Sequence, residues 1–301
     1  MMKRCLHHVL ILLLSLASTP AWAQRPLIAT SIHPLALIVK EVAGDEADVQ
    51  SLVPADVSPH HYSMRPSERR LLAEADRIYW LSPELEPFLQ GIMSDQALSQ
   101  KALALAEAPE SSTAGNGHEA HHHGTGMDPH IWLAPDRAQA MAKRVRESLA
   151  GVKDLDQEQI ARNHNQFRQR LADTESDIEK RLAPLARISL FTYHDAFHYF
   201  ADHFGLTIAA TLTNNPERSP SARHIADLQQ ALEEARFPCI MTESQLGGNW
   251  WRGLDLPQSL NVSRWDPLGG EIRIKVGGYT AFLESLTDAV SRCQPDNSKK
   301  E

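Results

Sequence analysis

Apolar and polar residues alternate along the chain with two different periods, and these periods divide it into strands and helices. Short apolar runs typical of buried strands are separated by segments in which apolar residues recur every three or four positions, as on one helix face. The predicted strands span 27–32, 49–53, 77–81, 103–105, 188–193, 207–212, 239–242 and 260–265, and the predicted helices span 34–42, 66–75, 136–149, 195–204, 220–235 and 279–293. Strands that alternate with helices in this way indicate βα units around parallel sheets.

One longer helix separates the two halves of this pattern. Apolar residues recur at steps of 7, 4, 7 and 4 from Ile160 to Leu182, and Pro184 follows. They form one stripe along a helix of roughly seven turns. We therefore predict an α/β fold of two lobes, 24–154 and 184–301, joined by one long rigid helix at 155–183, with a cleft between the lobes.

The first 23 residues have the organisation of a secretory signal. Lys3 and Arg4 precede an apolar segment that ends in Ala21-Trp22-Ala23, the small-x-small pattern that signal peptidase cuts. The apolar segment is too short to span a bilayer. We expect cleavage after Ala23 and a soluble protein exported to the periplasm.

Composition and charge exclude several classes of function. The 301 residues are 42% hydrophobic and 23% charged, which is ordinary for a soluble globular protein. The formal net charge is −8, and it becomes −10 after cleavage because the signal contains two basic residues and no acidic one. An acidic protein is a poor candidate for binding nucleic acid or an anionic membrane and a better one for attracting cations. We expect a monomer that binds no nucleic acid.

Two cysteines, Cys239 and Cys293, are left after cleavage. An even pair in an oxidising compartment usually forms a disulfide, so we predict one between them. Neither belongs to a CxxC pair, and therefore neither a redox-active dithiol nor a cysteine zinc site is indicated.

Three histidines lie where a predicted strand gives way to a loop or helix. They are His60, His130 and His194, in a chain with 15 histidines. Ligands of α/β sheets gather beyond the carboxyl ends of the strands. Neutral imidazole suits zinc and copper and is a poor ligand for calcium or magnesium. Three histidines and one carboxylate or water would complete a zinc tetrahedron, with Asp128 or Asp195 orienting the ring nitrogens.

Four motifs in a fixed order carry a family resemblance. They are His60-x-Tyr62 followed by Pro66, the sequence DPHIWL from Asp128, the sequence HDAF from His194, and the sequence DPLG from Asp266. A histidine-rich segment directly precedes the second motif. The chain thereby resembles the periplasmic zinc-binding proteins of the ZnuA type, which are solute-binding proteins of ABC importers. The resemblance covers nearly the whole mature chain.

The resemblance implies a function and a set of ligands. Zn2+ is expected to bind between the lobes through His60, His130 and His194, and the protein is expected to deliver it to the membrane permease of a zinc ABC transporter. Pro59 departs from the family, because related zinc proteins can have a glutamate ligand there. Family members otherwise use water or the aspartate at the position of Asp266.

Asp266 is therefore our predicted fourth ligand. It follows a predicted strand of the lobe that also carries His194. In the alternative interpretation Asp266 caps the turn that follows it, as aspartate commonly does, and water or His61 completes the site.

The histidine-rich segment predicts a second, weaker metal site. Residues 109–127 are rich in Gly, Ser and His, a composition typical of a flexible surface loop. Its histidines within 115–126 are His118, His121, His122 and His123. In relatives such loops are thought to collect zinc or pass it to an accessory periplasmic zinc chaperone. A solvated loop without function is the alternative.

Three other functions fit the sequence less well. A manganese-binding protein of the same family would favour more carboxylates than this ligand set offers. A zinc hydrolase would need a general base; Glu243 is a candidate, but no nucleophile is paired with it, and His118 and His121 lack the HExxH spacing. A metal-responsive surface adhesin is disfavoured because Cys5 precedes the apolar segment and cannot belong to a lipobox. We therefore predict a binding protein and not an enzyme.

Overall fold

The computed structural model describes residues 25–106, 128–213, 220–246, 250–257 and 260–294. The predicted signal peptide and the histidines at 118 and 121–123 therefore lie outside the described residues. None of the described helices is both long enough and apolar enough to cross a membrane.

The secondary structure follows the predicted alternation of strands and helices. The strands are β1 Leu27–Thr30, β2 Asp48–Ser51, β3 Arg77–Trp80, β4 Ala102–Ala104, β5 Ser189–His194, β6 Thr207–Thr213, β7 Pro238–Glu243 and β8 Asn261–Trp265. The helices are α1 His33–Ala43, α2 Pro66–Glu74, α3 Pro87–Gln90, α4 Gln96–Ser99, α5 Pro135–Leu149, α6 Gln157–Leu182, α7 His198–His203, α8 Ala222–Glu234 and α9 Gly278–Ser291. Single turns of 3-10 helix are Pro59–His61, Ile131–Leu133, Ala183–Leu185 and Trp250–Gly253. The short helices α3 and α4 were not predicted, because four residues are too few to show a helical period.

The strands form two parallel sheets with the same order. The first sheet runs β2-β1-β3-β4 and the second runs β6-β5-β7-β8. In each sheet the second strand in sequence lies on one side of the first strand, and the third lies on its other side. This reversal of strand order creates a switch point, where ligands of α/β folds bind. In the second sheet the register pairs Thr192 with Met241. Two residues further on, His194 and Glu243 therefore end adjacent strands at the same edge.

The helix α6 connects the two lobes, as predicted. Its first turn is capped by Asp156, whose carboxylate accepts hydrogen bonds from the amides of Glu158 and Gln159 at 2.9 and 3.0 Å. The predicted stripe is the buried face: Ile160, Phe167, Leu171, Ile178 and Leu182 are each at most 1% exposed. This arrangement confirms the predicted fold class of two α/β lobes joined by one long helix.

The lobes are also joined by side-chain contacts behind the cleft. Helix α9 of the second lobe packs against α1 of the first lobe and against α6. Glu41 on α1 is fully buried and accepts a 2.6 Å hydrogen bond from Arg170 on α6 and a 3.2 Å bond from the amide of Tyr279 on α9. One apolar core extends from Ile28 to Cys293 through both lobes.

The predicted disulfide is confirmed. Cys239 on β7 is bonded to Cys293, which follows α9, with the two Cα atoms 5.7 Å apart. The bond fastens the last helix to the second sheet, away from the edge where His194 lies.

Candidate metal centre

The three predicted histidines come together between the lobes. One ring nitrogen from each of His60, His130 and His194 lies within 4.8 Å of the other two. His130 and His194 are 5% and 6% exposed, and His60 is partly buried. Two of these residues come from the first lobe and one from the second, so the cluster spans the cleft.

His130 is fixed by the aspartate two residues before it. The Asp128 carboxylate accepts hydrogen bonds from the backbone amide of His130 at 2.9 Å and from its Nδ1 at 2.6 Å. This local turn is a common use of aspartate. The Tyr199 hydroxyl of the second lobe donates to the Asp128 carbonyl at 3.2 Å, so this segment is held from both lobes.

His194 is fixed by Glu243 on the neighbouring strand. Its Nδ1 donates to Glu243 Oε1 at 2.9 Å, and Oε2 of the same carboxylate is 2.7 Å from that nitrogen but less well aligned with the N–H bond. Glu243 is only 2% exposed. The pairing follows from the register of β5 and β7, since both residues end their strands.

His60 is presented by the 3-10 turn Pro59–His61. Behind the turn, the Tyr62 hydroxyl donates to Glu68 Oε1 at 2.6 Å, and Glu68 Oε2 accepts from the amide of Arg65 at 2.6 Å. Burial and this carboxylate raise the pKa of Tyr62 to about 12, so the hydroxyl stays a donor. Pro66 begins α2, where a missing amide hydrogen costs nothing. Tyr62 and Pro66, the other residues of the first motif, thus help to hold the turn that carries His60.

The geometry of the cluster suits a small, tetrahedrally coordinated cation. His60 Nε2 and His130 Nε2 are 3.3 Å apart, close to the edge of about 3.3 Å expected for a zinc tetrahedron with bonds of about 2.0 Å. Because Asp128 and Glu243 accept hydrogen bonds from the Nδ1 atoms, His130 and His194 present the lone pairs of Nε2 to the cluster. Lone pairs at this separation repel one another unless a cation or a proton lies between them.

The cavity beside the histidines is small and mostly apolar. Its volume is ≈ 20 Å³, which is room for an ion or a water molecule and not for an organic ligand. Trp132 lines it with its ring centroid 5.2 Å from that of His130. The Trp132 indole donates across the cleft to the Pro267 carbonyl at 2.8 Å.

Gln245 and Glu243 also line this cavity. Gln245 Nε2 donates to the Ala55 carbonyl at 2.8 Å and to Asp266 Oδ1 at 2.7 Å. Because both partners are acceptors, the atom that faces them must be the amide nitrogen, which fixes the orientation of the Gln245 side-chain amide. Gln245 Oε1 is buried without a hydrogen-bond partner, and Glu243 Oε2 has no well-aligned one. Buried oxygens of this kind are normally paired, so Gln245 Oε1 is an acceptor available to a ligand, whereas the Glu243 carboxylate is engaged by His194.

Asp266, the predicted fourth ligand, is not among the three residues whose ligand atoms group together, and its role as a ligand stays a prediction. Its Oδ1 accepts from Gln245 and from the amide of Leu268 at 2.9 Å, and its Oδ2 accepts from the amide of Gly270 at 2.8 Å. The bonds to the amides of Leu268 and Gly270 are those of the turn-capping role named above as the alternative. The Asp195 carboxylate lies 2.7 Å from His198 Nε2, and its hydrogen bond is the main cause of the raised pKa of that imidazole.

The sequence reasoning missed the roles of Glu243 and Gln245. Glu243 had been considered only as a possible base, although its place at the end of a buried strand is the same signal that identified His194. Gln245 follows two residues later in an irregular segment, and no motif marked it.

Comparisons with known proteins agree with this architecture. A high-affinity zinc uptake system protein ZnuA from Yersinia pestis is 29% identical over 288 residues, which cover 88% of this chain and 90% of that protein. The corresponding protein from Haemophilus ducreyi is 27% identical and covers 88% and 92%. A crystal structure of a ZnuA deletion mutant with zinc bound has a TM-score of 0.75 at 21% identity and covers 91% of this chain and 100% of that chain.

A second solved structure shares the fold. It is the solute-binding protein FpvC from Pseudomonas aeruginosa in complex with Mn2+, with a TM-score of 0.73 at 21% identity, covering 90% of this chain and 98% of that chain. The family model for the zinc-uptake complex component A, periplasmic, matches residues 28–293. That match spans both lobes, the linker helix and the three histidines, and the chain therefore belongs to the ZnuA family.

Proposed function

We propose that this protein binds Zn2+ between its lobes and delivers it in the periplasm to the membrane permease of a zinc ABC importer. The observation that carries the proposal is the group of three imidazoles, two of which are turned toward the group by carboxylates, the partly buried Asp128 and the buried Glu243. Membership of the ZnuA family supports it, as do relatives named high-affinity zinc uptake system proteins.

The donor set favours zinc over manganese and binding over catalysis. The grouped ligand atoms of the described residues are all nitrogens, whereas manganese sites favour carboxylate oxygen. A hydrolase would need a general base at the metal. The nearest buried carboxylate, Glu243, is engaged by His194 and is a poor candidate for that role.

The fourth position of the tetrahedron is assigned to a water molecule. A zinc-bound water can donate a hydrogen bond to Gln245 Oε1, a buried acceptor in the wall of the cavity that has no hydrogen-bond partner. Gln245 would hold that water while its amide nitrogen bridges Ala55 of the first lobe and Asp266 of the second.

The proposal also covers the signal peptide and the histidine-rich segment, which lie outside the described residues. The signal peptide is cleaved after Ala23, and the mature protein, a monomer of lobes 24–154 and 184–301 with the linker 155–183, is periplasmic. The histidines of segment 115–126 collect zinc at a weaker site and pass it on, with an accessory zinc chaperone as the further partner.

The primary test is metal content. Exported protein should carry zinc in excess of other metals by elemental analysis, and it should withdraw zinc from a competing chelator. His194→Ala should weaken this competition by at least a hundredfold, since one of three protein ligands is lost. His224→Ala, on α8 outside the cluster, is the matched control. Equal binding by the two variants would refute the ligand assignment.

The fourth ligand is tested by zinc X-ray absorption. The loaded protein should show three imidazoles and one oxygen, and Asp266→Ala should leave this pattern unchanged. Zinc affinity of Asp266→Ala that falls by tenfold or more in the chelator competition, about 1.4 kcal/mol, would make Asp266 the ligand after all.

A further inference from the structure

A second cavity lies between helix α5 and the first half of the linker helix α6. It has a volume of ≈ 390 Å³ and is lined by residues that do not touch the histidine cluster. The residues that matter for its chemistry are His164 and Arg168 from α6 and Asp136, Lys143 and Arg146 from α5.

His164 forms the floor of this groove and lacks partners. It is 5% exposed, yet neither ring nitrogen has a hydrogen-bond partner. A buried imidazole is normally satisfied on both sides, so the unpaired ring of His164 has hydrogen-bonding capacity to offer to a ligand in this cavity. Burial is the main cause of its lowered pKa, with Arg146 and Arg168 adding to it. The neutral ring has one N–H group to donate.

The walls of the groove are basic in an acidic protein. Lys143, Arg146 and Arg168 contribute three positive charges, and Asp136 contributes one negative charge. None of the three cations has a carboxylate partner among the described residues. Asp136 lies at the end of the groove near Arg137, 3.8 Å from it. Glu147 beside Arg146 is exposed and does not line the groove. The lining therefore carries a net formal charge of +2, three cations against one carboxylate.

We propose that this groove binds a small anion with phosphate or carboxylate oxygens. The two guanidinium groups offer paired N–H donors, which suit both kinds of oxyanion, and Lys143 adds a third charge. The N–H group of His164 would donate to the same ligand from below. A metal cation is disfavoured because the net charge of the lining is positive. The proposal is independent of the zinc site.

The test uses the mature, zinc-free protein and two probes, inorganic phosphate and succinate, at pH 7.5 and low salt. Each is titrated while the ring signals of His164 are followed by NMR and the heat by calorimetry. We expect a saturable shift of the His164 signals with at least one probe, and the tighter probe tells which oxyanion the groove prefers. No saturable shift with either probe would overturn the proposal.

Substitutions locate the binding. Arg168→Gln should weaken anion binding at least tenfold, and Arg146→Gln should have a similar effect. Both residues are exposed, so the fold should survive. Arg162→Gln is the matched control, on the same helix but paired with Glu158 and Asp156. Zinc affinity should stay unchanged in all three variants. Equal weakening by Arg162→Gln and Arg168→Gln would mean nonspecific charge attraction and would overturn the site.

Discussion

Replacing Glu243 by glutamine tests whether a buried carboxylate sets the strength of the metal site. The substitution keeps the size of the side chain and one acceptor oxygen. It removes the negative charge that faces His194 Nδ1 at 2.7–2.9 Å. His194 then becomes a weaker donor to the metal, and its ring is free to adopt the other tautomer.

The size of the effect follows from burial. Loss of such an orienting group typically lowers metal affinity by 10–100-fold, or about 1.4–2.7 kcal/mol. The Glu243 side chain is 1% exposed and the Asp128 side chain is 12% exposed. Water screens the second pair more, so Glu243→Gln should lie near the upper end of this range, about 100-fold, and Asp128→Asn near the lower end, about tenfold.

Competition with a chromophoric zinc chelator at pH 7.5 measures both affinities. Glu271→Gln is the matched control, because this carboxylate belongs to the same lobe, is 87% exposed in its side chain and forms its one ion pair among the described residues with Arg264. Circular dichroism checks that each variant is folded. Zinc affinity of Glu243→Gln equal to that of Glu271→Gln would refute the orienting role of the carboxylate.

Three further predictions concern stability and stoichiometry. Replacing Cys239 and Cys293 by serine should lower the free energy of unfolding by about 4 kcal/mol, measured in guanidinium, without changing zinc affinity; an unchanged unfolding midpoint would contradict it. His203 has a pKa raised mainly by its hydrogen bond to Glu175 on the linker helix. Because the folded pKa exceeds the unfolded one, the pair stabilises fully below about pH 6.5 and is lost as the pH rises through the folded pKa. His203→Gln should therefore destabilise more at pH 6 than at pH 8 in thermal melts, and equal losses would refute this. Deleting 115–126 should lower zinc stoichiometry yet leave one tight site, and loss of tight binding would mean that the primary site lies in the loop.

Much of the fold and three site residues could be predicted because they depend on periodic or topological signals. The stripe from Ile160 to Leu182 specifies one buried helix face. His194 ends a strand of a parallel sheet, and the carboxyl ends of such strands share one edge. Neither inference requires knowledge of side-chain rotamers.

The fourth ligand could not be obtained in this way. Asp266 and Glu243 both come at the ends of strands in the same sheet, so strand position alone favours them equally as residues of the metal site. The short side chain of Asp266 reaches the amides of Leu268 and Gly270, which compete for it locally. The longer side chain of Glu243 reaches across to His194. Only the three-dimensional path of each loop distinguishes the two residues.

The position of α9 has a consequence for how the chain completes its folding. Each sheet comes from an uninterrupted stretch of sequence, so each can assemble from contacts that are short in chain separation. Helix α9, the last one described, instead packs on α1, the first. Gly278 at its start approaches the Leu37 side chain closely. A nascent or truncated chain that lacks α9 would leave apolar surface of α1 and of the linker helix uncovered, and this surface would invite aggregation or proteolysis. The C-terminal helix thus makes the stability of the N-terminal lobe depend on synthesis of the whole polypeptide.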